Sequence, residues 1–205
     1  YDHIKLVRRD TAGGYTKAAN YGIENSSAEF VVLLNSDTQV PTTWLKKLVR
    51  AAYQSSDTGI VGPLSNAASW QSVPEIIDEN GQLAVNTIPA GFTVEDMDRI
   101  AALCSPEHYP RVDLANGFCF GIKRVVLDTI GLFDEESFPR GYGEENDFCF
   151  RALDAGFGVV IATDCYVFHE KSKSYSPVVR DRLAKERSGI LQRNYPASRI
   201  RKGVV

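Results

Sequence analysis

The chain contains no apolar run longer than the five residues Phe30-Val31-Val32-Leu33-Leu34. A helix that crosses a bilayer needs about 20, so none is expected, and the first residues also lack the apolar stretch of a signal peptide. Cysteine is scarce. The four at 104, 119, 149 and 165 are widely spaced, which argues against a disulfide scaffold and for buried thiols in a reducing, cytoplasmic compartment. Nor does one sign of charge dominate. Lys and Arg total 23 against 26 Asp and Glu, for a net charge of −3, which gives no electrostatic reason to bind nucleic acid. What is abundant is ordinary globular material, 43% apolar and 24% charged, with 16 Gly and 9 Pro. That composition excludes disorder and collagen and can build a core without staples. At about 150 residues per domain, 205 residues read as one domain.

Residues 3–7 read as a short strand, followed after Gly13-Gly14 by a helix through Asn25 with Tyr15, Ala18, Ala19 and Ile23 at helical spacing. Phe30–Leu34 has the length and continuity of a doubly covered parallel strand. It ends at the polar turn Asn35-Ser36-Asp37-Thr38. A helix from about Pro41 follows, with Trp44, Leu45, Leu48, Val49 and Ala52 as its apolar stripe, and then a strand at Gly59–Gly62. The expected class is therefore α/β, with a mainly parallel mixed sheet flanked by helices. Periodicity fades between residues 64 and 110, apart from a capping box at Thr93–Asp96 that opens a helix. Beyond it the sequence predicts a strand over 112–122, a short helix stopped by Gly131, a helix over 144–155 stopped by Gly156, and strands at 159–162 and 165–168. Residues 176–205 read as a C-terminal helix, about 178–192, and a tail carrying Arg199, Arg201 and Lys202.

Three places could carry chemistry. Asp37 follows the C-terminal end of an apolar strand, where open α/β sheets bind ligands, and a carboxylate there suits Mg²⁺ or Mn²⁺ shared with a nucleotide's phosphates. The same turn is equally a simple Asx turn. Six carboxylates, Asp134, Glu135, Glu136, Glu144, Glu145 and Asp147, crowd into fourteen residues. Some must be well solvated or hold protons tightly, as a general base does, although acids in a first helical turn also complement the helix dipole. His169 ends a strand-like segment, placed to reach a metal or a diphosphate, or to serve structure alone. The two Cys-x₃-His pairs, Cys104 with His108 and Cys165 with His169, have no Cys-x₂-Cys companion, which argues against zinc.

Taken in order, Gly14-Tyr15-Thr16-Lys17-Ala18-Ala19-Asn20-Tyr21-Gly22-Ile23, Phe30 to Thr38, Asn116-Gly117-Phe118-Cys119-Phe120 with Gly131-Leu132-Phe133-Asp134-Glu135, and Glu144-Glu145-Asn146-Asp147-Phe148-Cys149-Phe150-Arg151 with Ala155-Gly156 resemble the motif series of family 2 glycosyltransferases. The resemblance runs from about residue 4 to residue 175. It implies the GT-A fold and inverting transfer of a sugar from a nucleotide-diphosphate donor to a hydroxyl of a glycan or lipid-linked acceptor. Synthesis of bacterial surface polysaccharide is the implied setting. Carried over, Asp37 is the implied metal ligand and His169 a metal or diphosphate contact. Asn35 stands in the first position of the Asp-x-Asp motif, and Glu145 is the implied base. Lys17 and Asn20 fall on the donor side, and Asn116, Gly117, Glu144 and Asp147 on the acceptor side. Asn35 in place of a carboxylate keeps an oxygen but removes a negative charge. The resemblance also implies that an opening strand, helix and strand, which build much of the nucleobase pocket, are missing before Tyr1. Residues 64–110, with Trp70, Phe92 and Tyr109, are read as an acceptor-side insertion, and the basic tail as a possible peripheral contact with the inner face of a membrane. The rival readings are a sugar nucleotidyltransferase and a non-catalytic nucleotide-sugar or glycan-binding domain.

Overall fold

The computed structural model describes residues 4–11, 13–171 and 177–202. Five strands form one sheet in the order β1-β5-β3-β6-β4: β1 (Phe30–Leu34), β3 (Thr58–Leu64), β4 (Arg111–Val112), β5 (Cys119–Lys123) and β6 (Gly158–Tyr166). Strands β3 and β6 pair in parallel, while β5 pairs antiparallel with both β1 and β3, and β4 antiparallel with β6. Hence β1, β3 and β6 all run the same way, and their C-terminal ends meet the N-terminal end of β5 at one edge of the molecule. A two-stranded ladder of β2 (Thr38–Gln39) and β7 (Phe168–His169) stands beyond that edge.

Alternation along the strands sorts their side chains onto two faces. Ile60, Phe120, Ile122, Val159 and Ile161 join one buried cluster with Phe148 and Phe150. Val61, Cys119, Val160 and Ala162 join a second with Leu48, Ala51 and Ala52. Helices α4 (Arg124–Ile130) and α5 (Glu144–Asp154) cover the first face, with Ile23 of α1 (Tyr15–Glu24), and α2 (Trp44–Tyr53) covers the second. The sheet is thus mixed and helix-flanked, as the sequence implies. Helix α3 (Val94–Cys104) starts at the expected box: Thr93 accepts from the Asp96 amide while Asp96 accepts from the Thr93 amide. It is tied to the sheet by buried Asp98, which pairs with Lys47 at 2.6 Å and accepts from the Tyr166 amide.

Several local expectations are corrected. Residues 4–7 form no strand. β1 is covered on both faces as expected, with Val31 and Leu33 against one cluster and Phe30 and Val32 against the other, but it is an edge strand bonded antiparallel to β5 rather than in parallel. The expected strand over 112–122 is two, β4 and β5, because Asn116-Gly117 turns the chain between them. Conversely, β6 runs unbroken through Asp164, whose buried carboxylate is neutralised by Arg50. Cys104 is exposed, although the other three cysteines are buried free thiols. On α1 the inward face is Thr16, Ala19, Asn20 and Ile23, so two polar residues replace Tyr15 and Ala18, and the α2 residues Leu45 and Val49 are exposed. The C-terminal segment forms α6 (Pro177–Asn194) and α7 (Ala197–Lys202). Arg199 of the tail is used internally, bonding Asp154 and the Phe150 carbonyl. Among the described residues no helix is long and apolar enough to cross a membrane.

Candidate active site

The turn after β1 and the end of β7 come together. Thr38 pairs with His169 across the small ladder, and His169 Nε2 lies 3.4 Å from Asp37 Oδ1, both side chains mostly shielded. Three neighbours fix the imidazole. Its ring stacks on Phe118 at 5.2 Å between centroids, and Nδ1 faces the Ala67 carbonyl at 3.4 Å. Asn66 grips the His169 backbone at two points, accepting from its amide at 2.7 Å and donating to its carbonyl at 3.0 Å. The ring therefore presents its Nδ1 edge to a carbonyl and its Nε2 edge to the Asp37 carboxylate. Asn35 is anchored by its amide to the Phe118 carbonyl, and its own carbonyl accepts from Thr38.

The acidic stretch reaches the same place from the other side. Residues 141–143 all take positive φ, at 87°, 67° and 117°, and Gly143 hands directly into the first turn of α5. Glu145 folds back to accept from the Gly143 amide at 3.1 Å. Its side chain runs alongside Gly117, where a Cβ would sit 3.7 Å from the Glu145 Cβ. Gly117 adjoins Phe118, so the segment Asn116-Gly117-Phe118 touches the Asp37–His169 pair at one end and Glu145 at the other. Gln71, fully buried, holds that segment by accepting from the Asn116 amide at 2.6 Å, and Trp70 donates to the Leu114 carbonyl.

Glu144 is the carboxylate on which burial falls. It is 5% exposed, and its Oε2 has no hydrogen-bond partner among the described residues. Burial, followed by the charge of Glu145, holds its proton affinity well above the usual carboxylate range. Burial and the same two carboxylates also push the Tyr15 phenol upward.

Other site candidates lie elsewhere. Asp147 spends its carboxylate on Arg151 at 2.8 Å and on the Tyr195 hydroxyl at 2.6 Å, a brace between α5 and the C-terminal helices. Asn20 is a clip: its amide bonds the Phe133 carbonyl, the Phe133 amide and Glu135. Lys17 and Asn20 line a separate cavity of about 690 Å³, which Asp37, Glu145 and His169 do not line. Of the three aromatics between 64 and 110, Trp70 is bonded to the core and Tyr109 packs on the second cluster, while Phe92 is exposed. Asn66 and Gln71 escaped the sequence reading. Their signal was their place just past the end of β3, beside the strand ends that bear Asp37 and His169.

Among the described residues no cluster of three His, Cys, Asp or Glu side chains stands ready for a metal. An oxygen and a nitrogen donor converging on one point do fit a divalent ion that takes its remaining ligands from phosphates and water. No curated protein matches the sequence. Its structure is similar to that of GalNAc-T7 with UDP, GalNAc and Mn²⁺, at TM-score 0.59 and 16% identity, over 91% of this chain and 36% of that one. It is likewise similar to the mannosyltransferase PcManGT from Pyrobaculum calidifontis in complex with GDP-Man and Mn²⁺, at TM-score 0.59 and 15% identity, over 98% of this chain and 50% of that one. This chain therefore spans half or less of either protein, and the likeness is one of fold. Residues 1–187 match the family described as glycosyltransferase like family 2, and with nearly the whole chain inside that match, the chain belongs to the family 2 glycosyltransferases and has their GT-A fold.

Proposed function

We propose that this chain is the catalytic domain of an inverting glycosyltransferase. It moves a sugar from a nucleotide diphosphate to a hydroxyl of a glycan or lipid-linked acceptor, with Asp37 and His169 serving the donor and Glu145 the acceptor. The observation that carries the reading is the convergence on the short segment 116–118 of Asp37 with Glu145 and His169, both more than a hundred residues further along the chain. Asp37 and His169 would hold a divalent ion, Mn²⁺ by the mixed oxygen and nitrogen donors and by the ion bound in both similar structures. When bound, that ion offsets charge on the departing diphosphate. Asn35 adds an oxygen-bearing amide without a second negative charge.

Glu145 takes the proton from the acceptor hydroxyl as its oxygen attacks the anomeric carbon opposite the leaving group, so a single displacement inverts the configuration. Beside it Glu144 holds its proton more tightly than an ordinary carboxyl does, which eases the crowding of negative charge at Glu145. Asn116 and Gly117 shape the acceptor side by keeping a small residue against the Glu145 side chain. Residues 64–110 border this side through Trp70 and Gln71, while Asn66 holds the donor-side His169. Asp147 braces α5 and serves position rather than contact.

Incubation with Mn²⁺, a panel of nucleotide sugars and simple glycoside acceptors tests the reading. Release of nucleoside diphosphate with a product of opposite anomeric configuration is expected. Retention of configuration, pyrophosphate exchange, or donor binding without turnover would overturn it in favour of a retaining enzyme, a nucleotidyltransferase or a binding module respectively.

A further inference from the structure

Two cavities flank the 131–143 region and differ in charge. The one beside α1 sets Arg8, Arg9 and Lys17 against Asp10, Glu24 and Glu135, so its charges cancel. The other, about 410 Å³ between residues 137–142 and α6, sets Arg140, Arg182 and Arg187 against Glu186 alone. Phe138, Leu183 and Ile190 give it an apolar wall, beside the hydroxyl-bearing Ser137 and Tyr142. A groove with three guanidinium groups at a hydrocarbon wall suits an amphiphilic anion, because guanidinium forks match phosphate oxygens and aliphatic chains match the wall.

The arginines are placed rather than scattered. The Arg187 stem lies over Gly143, where a Cβ would come within 2.6 Å of its Cγ, so Gly143 admits the stem directly before Glu144 and Glu145. Arg140 makes no hydrogen bond or ion pair among the described residues. Arg182 meets Glu186 only at 3.7 Å, with both side chains 58% exposed, a contact too weak and wet to consume the charge. We infer that this groove binds a phosphate group carried by the acceptor, with the hydrocarbon attached to that phosphate lying along Leu183 and Ile190. The inference rests on the proposed function in taking the α5 end as the acceptor side; the donor's diphosphate belongs across segment 116–118, at Asp37 and His169.

Calorimetric titration of the full chain with dodecyl phosphate below its micelle concentration tests it, with dodecyl maltoside, glucuronate, and UDP or GDP with Mn²⁺ as comparisons. Dodecyl phosphate should bind, and Arg140→Gln or Arg187→Gln should each weaken it about 10-fold, the loss of one charge-assisted contact. Arg187→Lys should recover part of that loss. Glu186→Gln should tighten binding, about 3-fold for removal of the groove's one carboxylate, an effect in the opposite direction that misfolding would not produce. Nucleoside diphosphate binding should be unchanged in all four variants. No binding of dodecyl phosphate, or unchanged affinity in both arginine-to-glutamine variants, overturns the inference. So does equal loss of nucleoside diphosphate affinity, which would give the groove to the donor, or glucuronate binding as tightly, which would give it to acidic sugars. Glu145→Gln separates this inference from the reading it rests on. If that variant still turns over while the arginine variants lose dodecyl phosphate, the assignment of Glu145 falls and the groove stands; if it is inactive and the arginine variants bind normally, the groove alone falls.

Discussion

The two ends of the candidate site are built by different means. At the Asp37–His169 end the histidine is held by neutral, geometric restraints: a strand ladder, a ring stack and the two-point grip of a buried amide. At the Glu144–Glu145 end the backbone takes three successive positive φ values, one of them at Tyr142, where a side-chain-bearing residue is costly. There a buried carboxyl oxygen is also left without a partner. The first end is preorganised to hold a ligand in one geometry. The second is set by burial and charge, with Glu144 holding its proton tightly beside Glu145.

If this contrast is right, variants at the two ends should fail differently. The largest effect belongs to Glu145→Gln, which keeps the shape but removes the base; turnover should fall at least ~10²-fold with donor affinity nearly unchanged, and steady-state kinetics would read both. An equal loss in donor affinity would erase the distinction between the ends. Asp37→Asn should instead weaken Mn²⁺ binding by about 10²-fold, the upper range that even an outer partner of a metal ligand commands, as measured by titration with the ion in the presence of UDP or GDP. Asn66→Ala, which frees the His169 backbone without touching either donor atom, should cost about 10-fold in the same titration. Unchanged affinity would mean that the ring stack alone positions the imidazole.

The smallest effect is one of stability. Glu144 holds its proton more tightly folded than unfolded, where 4.5 is the ordinary value. Between that pH and the raised value the unfolded chain releases a proton that the folded one keeps, so stability falls as pH rises. Glu144→Gln has no proton to lose. Its melting temperature should match the wild type near pH 4 and exceed it at pH 8, and an equal offset at both would place the difference in packing rather than in charge.

Regular elements with one clear period were legible in the sequence. The Thr93–Asp96 box, the Gly131 and Gly156 stops and the apolar run at 30–34 correspond to real boundaries, and the run at 159–162 to the first part of β6. What misled was polarity at positions that tertiary partners neutralise. Asp164 looks like a break in a strand until Arg50 is seen beside it, and Thr16 and Asn20 look solvent-facing until the Phe138 and Phe133 carbonyls meet them. The orientation of β1 was hidden because an apolar run states burial, not which neighbour pairs with it. Within the site, Asp37, His169 and Glu145 stood out by chemistry and by position in a motif series. Asn66 and Gln71 are ordinary amides whose importance arises only from segments brought close by the fold.

The stretch Asn116-Gly117-Phe118 bears on both ends through adjacent residues, one ring against an imidazole and one bare α-carbon against a carboxylate chain. A displacement of that peptide cannot be felt at one end only. On the proposed assignment of the two ends, loading the donor and admitting the acceptor would be mechanically geared, and by thermodynamic reciprocity whatever the first does to the affinity of the second would be returned in equal measure.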